Sequence, residues 1–209
     1  MTTLAHWNNL SATLIDSGRF REGYRELRRA MTELARHIRF DDTYTSLPTS
    51  EDPYKVSALT LLVSDTDECT FSSPLIIEVA EIEDCSIEAV SCVSSVALYN
   101  MALASHRLST ENDLTTQQQR QVLAQAISLY KQSYKIGSNL HIPLLHLALC
   151  NNLLEIAYEN GDLQEMEIWW NEFNAHLSRQ QVTVPEDILV HLSKVQLFFT
   201  PAFQAARAA

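Results

Sequence analysis

The chain has 209 residues, an apolar fraction of 46% and a formal net charge of −11. That size gives one domain with enough apolar surface for a packed core, and it excludes global disorder. Its four glycines are scattered at Gly18, Gly23, Gly137 and Gly161, which excludes a phosphate-cradling P-loop or a dinucleotide-binding turn.

The first helix is expected over about Thr3 to Ser17, with Trp7, Leu10 and Leu14 on one face at helical spacing. Gly18 stops it, because glycine accepts the left-handed conformation that follows a helix end. The second helix spans about Arg19 to Arg39, with Tyr24, Leu27, Met31, Leu34 and Ile38 as its buried stripe. Gly23 and Ala30 let a neighbouring helix approach, and Arg21, Arg25 and Arg28 face away. From Phe40 to about residue 85 the helical period fails. Tyr44 to Pro53 reads as an acidic Thr/Ser/Pro loop. Val56–Val63 and Leu75–Ile82 read as two strands of a hairpin around the acidic turn Ser64-Asp65-Thr66-Asp67-Glu68. Helical pattern returns from Ser86 to Leu108, apolar and small all round and therefore central. Thr116 and Gln119 suggest a capping box for a fourth helix that Gly137 stops. Pro143 and Asn160-Gly161 bracket the fifth, and Asp162 with Glu165 caps the sixth. Pro185 opens the seventh, with Ile188, Leu192, Val195 and Phe199 inward. It is expected to end before Pro201, leaving residues 200–209 as a flexible tail. The expectation is a single, mainly α domain over 1–209, with an acidic β-hairpin insertion at 40–85.

Charge is unevenly placed. Twelve acids and one base, Lys55, lie between Asp41 and Glu88, and seven arginines face three glutamates between Arg19 and Arg39. A nucleic-acid surface needs net basic charge, so no nucleic-acid partner is expected. The uncharged stretch from Ala89 to Ser105 carries four serines and Asn100, and reads as a buried helix, not a membrane span. The sequence opens without a basic segment leading into an apolar one, so no secretory signal is expected. Cys69, Cys85, Cys92 and Cys150 lack metal-ligand spacing. They read as reduced thiols of a cytoplasmic or nuclear protein.

Two helix–turn–helix segments share one layout. Trp7-x2-Leu10-Ser11-x2-Leu14-x3-Gly18-x-Phe20-x2-Gly23-x3-Leu27-x2-Ala30 resembles a tetratricopeptide (TPR) repeat. Ser11 stands in place of glycine, Leu14 in place of tyrosine, and the closing proline is absent. Asn151-Asn152-Leu153 through Gly161-Asp162-Leu163, then Met166, Trp170 and Phe173, resembles a second copy. A split third copy combines Leu98-Tyr99-Asn100-Met101-Ala102 with Leu123, Ala126, Ile127, Tyr130 and Ser133. The resemblance covers about half the chain. It implies an α-solenoid-like stack of about seven helices in antiparallel pairs, each pair needing its neighbour to bury its apolar face.

In that family the first helices of successive pairs line a concave groove that binds a peptide or helix of another protein. The positions implied here are Asn8, Ala12, Ile15, Asp16, Tyr99, Leu103, His106, Arg107, Asn151, Glu155, Tyr158 and Glu159. Of the clamp residues that hold a chaperone tail in some members, only Asn100 fits; Asn8, Ala148 and Asn152 stand where bases are needed. Glu155 and Glu159 would suit a neutral or basic partner. The resemblance thus implies a non-catalytic adaptor or scaffold, with a structural subunit of a larger complex, or an enzyme or sensor with a helical pocket, as alternatives. The arginine face of Arg21, Arg25 and Arg28 is a possible secondary surface toward an acidic partner or the acidic insertion.

No catalytic residue, metal ligand or cofactor is expected. His141 and His146 are five apart and do not share a helix face. Asp65-x-Asp67-Glu68 lacks the glycine and distal glutamate of a calcium loop. Cys92 and Cys150 sit in apolar helices, where inert buried thiols are the rule. Of Trp169-Trp170, one ring is expected in the core and one at a surface, with Trp169 as the candidate anchor.

Overall fold

The computed structural model describes residues 2–38, 54–59, 71–79, 87–180 and 185–208. These form a mainly helical fold with seven helices and one two-stranded antiparallel sheet. The expected loop at 44–53, the acidic turn at 64–68, the outer ends of both expected strands, Cys69 and Cys85 lie outside the described residues. The chain divides into two compact units. Unit 1 is Met1–Thr60 with Ser73–Ile142, and unit 2 is Leu61–Ser72 with Pro143–Ala209.

In unit 1, α1 (Thr2–Asp16), α2 (Phe20–Ile38) and α3 (Ile87–Ser109) pack pairwise on one another, and α3 also packs on α4 (Thr116–Gly137). Gly18 closes α1 with φ 79°, a conformation that costs L residues about 1–2 kcal/mol. Gly23 sets the α1–α2 distance, since a Cβ there would stand 2.7 Å from Ile15 Cγ1 and 3.1 Å from the Ser11 carbonyl oxygen. The inward face of α1 is Leu4, Ala5, Asn8, Ser11, Ala12 and Ile15. This corrects the expected stripe: Leu10 is 42% exposed, and Trp7 and Leu14 are only half-buried. Close approach of α2 favours small residues on that face, so the large apolar ones sit at its margins. Of the expected stripe on α2, Leu27 is fully buried and Tyr24, Met31 and Leu34 are half-buried.

α3 is long and apolar enough to cross a membrane, yet 78% of its most apolar window is buried within the protein, as in the core helix of a helical bundle. Small residues allow this helix to be covered on several sides. Ser95 and Ser133 form a reciprocal clasp between α3 and α4: each hydroxyl donates to the other residue's carbonyl, at 2.9 and 2.8 Å. The capping box of α4 is one residue earlier than expected, with Thr115 accepting from the Gln118 N–H and the Gln118 side chain accepting from the Thr115 N–H. The helical phase decides this, because the N-cap must sit just outside the first helical residue.

The sheet pairs β1 (Tyr54–Ala58) with β2 (Leu75–Val79) in register Tyr54↔Val79 through Ala58↔Leu75. β1 starts two residues before the expected position. In β2, Leu75 and Ile77 are buried, Ile76 is half-buried and Glu78 is exposed, the two-residue period of a strand seated on one face. β2 packs on α1 and α3.

In unit 2, α5 (Pro143–Glu159) and α6 (Leu163–Gln180) pack as a hairpin, with Gly161 at φ 66° in the turn. Asp162 Oδ1 accepts from the Glu165 N–H, capping α6. The buried stripe of α6 is Met166, Trp169, Phe173 and Leu177. Trp169 is therefore the core ring; its indole N–H donates to Glu165 Oε2 at 2.8 Å. The half-buried ring is Trp170, stacked on Phe173 with centroids 6.3 Å apart. α7 (Glu186–Ala208) buries Ile188, Leu192, Val195 and Phe199, and it continues through Pro201, where the sequence reading ends it. Pro201 cannot donate to the Leu197 carbonyl four residues back. Leu197 is 75% exposed, so that position is open to water and the helix survives the lost bond.

Candidate functional site

Asparagine is a poor helix former because its amide competes for backbone partners. Here Asn8 and Asn9 sit in the middle of α1, Asn100 in α3, and Asn151 and Asn152 in α5. All but Asn9 are fully buried. A buried amide must find partners, and Asn8, Asn9, Asn100 and Asn152 find the main chain of an extended segment.

In unit 1 the segment is Ser73 to Ile77. The Leu75 N–H donates to Asn100 Oδ1 at 2.9 Å, and Asn100 Nδ2 donates to the Leu75 carbonyl at 2.7 Å. Asn8 Nδ2 donates to that same carbonyl at 3.0 Å. Two residues on, the Ile77 N–H donates to Asn9 Oδ1 at 2.9 Å and Asn9 Nδ2 donates to the Ile77 carbonyl at 2.8 Å. The amides also bond one another: Asn100 Nδ2 donates to Asn8 Oδ1 at 2.9 Å, and Asn8 Nδ2 donates to Asn9 Oδ1 at 3.2 Å. Both amide hydrogens of Asn8 and of Asn100 are thereby used. Tyr99 adds its hydroxyl, donating to the Ser73 carbonyl at 3.2 Å. Leu59 N–H donates to the Pro74 carbonyl on the β1 side, so Leu75 and Ile77 turn their polar groups to the opposite edge. There the side-chain amides stand in for a third strand.

Unit 2 repeats the device on Phe71. Its N–H donates to Asn152 Oδ1 at 2.8 Å, and Asn152 Nδ2 donates to its carbonyl at 3.1 Å. Asn151 Nδ2 donates to Asn152 Oδ1 at 3.2 Å, again tying neighbouring amides together. The Phe71 ring is buried, edge-on to His191 with centroids 5.9 Å apart.

Of the positions implied by the TPR resemblance in unit 1, Asn8 and Tyr99 meet on this segment. Ala12, Ile15 and Leu103 are core, and Ile15 lies against Gly23. Asp16 is exposed and Arg107 half-buried. His106 is buried edge-on to Tyr130 with centroids 6.2 Å apart. Burial, with the Arg107 charge adding, pushes its pKa down to about 4, so it is a neutral imidazole at physiological pH. In unit 2, Asn151 is buried, Glu155 half-buried and Glu159 exposed. Tyr158 is 43% exposed, edge-on to Phe198 and Phe199. The sequence reading omitted Asn9, Asn100 and Asn152 from the site, although each is an amide set in an apolar helix, which is the signal that marks them.

The arginine face of α2 finds its described partners outside the acidic insertion. Arg21 bridges Glu111 at 3.2 Å and Asp113 at 2.7 Å, both in the α3–α4 connection. The hydrogen bond and charge of Asp113, then the charge of Glu111, raise its pKa. Arg25 lies 3.9 Å from Glu26, and Arg28 is exposed.

Unit 2 also gathers titratable groups between α5 and α6. His146 and His176 stack with centroids 4.7 Å apart, and His176 Nε2 lies 3.9 Å from Glu172 Oε2. Burial lowers the His176 pKa, opposed by Glu172 and assisted by Arg179. Burial, then Glu172, pushes the Cys150 thiol well up. A thiol held protonated is a poor nucleophile. Among the described residues no group of three or more His, Cys, Asp or Glu side chains is arranged to hold a metal ion. No family model, curated protein or solved structure matches the chain.

Proposed function

We propose that the chain is a non-catalytic adaptor of TPR-like helix pairs that holds an extended polypeptide by its main chain. The observation that carries this reading is the set of amides from Asn8, Asn9 and Asn100 around the backbone of Leu75 and Ile77. Hydrogen bonds to backbone N–H and C=O give affinity without reading sequence, and alternate side-chain pockets supply selectivity, as in strand addition generally. Display selection of random nonapeptides on the purified chain tests the reading. The wild type should enrich sequences with aliphatic residues two apart, and the pair of changes Asn9→Ala and Asn100→Ala should abolish that enrichment in a still-helical protein. Enrichment unaffected by the two changes refutes it.

A second reading, a subunit of a larger assembly, draws on α7 of unit 2. Val190, Leu197 and Phe198 are 50%, 75% and 46% exposed there, and Phe198 lies against the exposed Tyr158. Val190 and Leu197 are two turns apart and share one face, the kind of apolar stripe that another protein covers.

A further inference from the structure

We infer that β2 is a resident occupant of the unit 1 groove, a self-ligand that an incoming extended segment with aliphatic side chains at two alternate positions must displace; this rests on the adaptor reading above. The described polar contacts that seat Ser73 and β2 on α1 and α3 go to main-chain atoms: the N–H and C=O of Leu75 and Ile77, and the C=O of Ser73. Any peptide without proline at those two positions offers the same four groups. Among its described side chains β2 contributes two buried ones, Leu75 at 0% and Ile77 at 2% exposure, with half-buried Ile76 between them and exposed Glu78 after them. The fitting partner is therefore aliphatic–any–aliphatic–polar in extended conformation.

Two observations make β2 replaceable. The helices do not need it to meet, because α1, α2 and α3 pack directly on one another. On its other side β2 is held by β1, whose described side chains run from half-buried to exposed. A two-stranded hairpin of this kind is at best marginally stable by itself, so the groove holds β2 in place more than β1 does. An internal occupant competes at an effective concentration that for flexibly tethered segments is on the order of millimolar. Partner binding is then attenuated by that competition, and anything that draws the hairpin away opens the site.

The test uses the full chain and a dye-labelled synthetic peptide of residues 71–79. Anisotropy titrations compare wild type with the pair of changes Leu75→Ser and Ile77→Ser, which weaken the resident strand. The weakened chain should bind at least tenfold more tightly, and adding Asn9→Ala and Asn100→Ala should remove that gain. In parallel, hydrogen exchange on isotopically labelled wild type should show Leu75 and Ile77 amides losing protection as unlabelled peptide approaches saturation. This arm needs no variant and decides the matter if the weakened chain does not fold. Equal affinity of both chains, still dependent on the asparagines, overturns self-occupancy and leaves the adaptor reading standing. Retained protection of Leu75 and Ile77 at saturating peptide does the same. Absence of binding to wild type up to several times the effective concentration, and to the weakened chain where it folds, overturns both.

Discussion

Replacing Asn100 with alanine should be among the most damaging single changes around β2. The side chain accepts from the Leu75 N–H at 2.9 Å, donates to the Leu75 carbonyl at 2.7 Å and donates to Asn8 Oδ1 at 2.9 Å. In the variant the Leu75 carbonyl keeps Asn8 as a donor at 3.0 Å, but the buried Leu75 N–H loses its described acceptor. A buried donor left unmade costs about 1–3 kcal/mol, and each further lost hydrogen bond about 1 kcal/mol. The expected loss is about 3–5 kcal/mol. The control is Thr13→Ala, which removes an exposed hydroxyl bond to the Asn9 carbonyl and should change stability by less than about 0.5 kcal/mol. Urea unfolding followed by fluorescence measures the global effect. Hydrogen exchange measures the local one, where about 3 kcal/mol means more than a hundredfold faster exchange at Leu75 and Ile77. A global loss below 1 kcal/mol together with unchanged exchange at Leu75 would show that the amide cluster does not hold the strand.

Gly23→Ala should destabilise by about 1–3 kcal/mol, because its Cβ meets Ile15 and the Ser11 carbonyl. Gly18→Ala, with open space around it but φ at 79°, should cost about 1 kcal/mol; thermal unfolding that ranks the two the other way round rules out close α1–α2 packing as the reason for Gly23. His106 stays neutral in the folded state down to about pH 4, whereas the unfolded chain takes up the proton near 6.5. Its contribution is thus complete above pH 6.5 and is lost as pH falls toward 4, about 3 kcal/mol over that window. His106→Phe should flatten the pH dependence of the urea midpoint, and identical profiles for variant and wild type would rule the residue out.

Two helix ends, those of α1 and α5, were legible for a local reason, whereas the start of α4 and the end of α7 were not. Gly18 and Gly161 mark turns that need positive φ, and that need is written in one residue. The antiparallel hairpin was legible from its short β-branched runs, although β1 lies two residues earlier than expected. The inward face of α1 was not. Trp7, Leu10 and Leu14 have the right spacing, but the close contact at Gly23 and the amide layer of Asn8 and Asn9 turn a smaller, more polar face inward. The choice between Trp169 and Trp170 depended on a one-residue phase, settled by packing on Phe173 and by the Glu165 acceptor. The site followed the same division. Asn8 and Tyr99 were expected in it, but Asn9, Asn100 and Asn152 were not. Their partners are main-chain groups far away in sequence, and no local pattern encodes those.

The side-chain edge on β2 has a bearing on solubility. A sheet grows by passing its unpaired N–H and C=O groups to the next strand, and exposed edges are where chains stick together. At Leu75 and Ile77 those groups end on Asn8, Asn9 and Asn100, whose amides return their remaining capacity to one another instead of projecting a new ladder outward. β2 is aliphatic enough to be an aggregation hazard if bare, and it is instead terminated by groups that cannot template a copy of it. On the other strand Lys55 stands opposite Glu78, both exposed and 3.7 Å apart, adding charge beside the aliphatic run. The same asparagines that grip a backbone also prevent the sheet from propagating, so losing one should favour association between chains as well as loosen the fold.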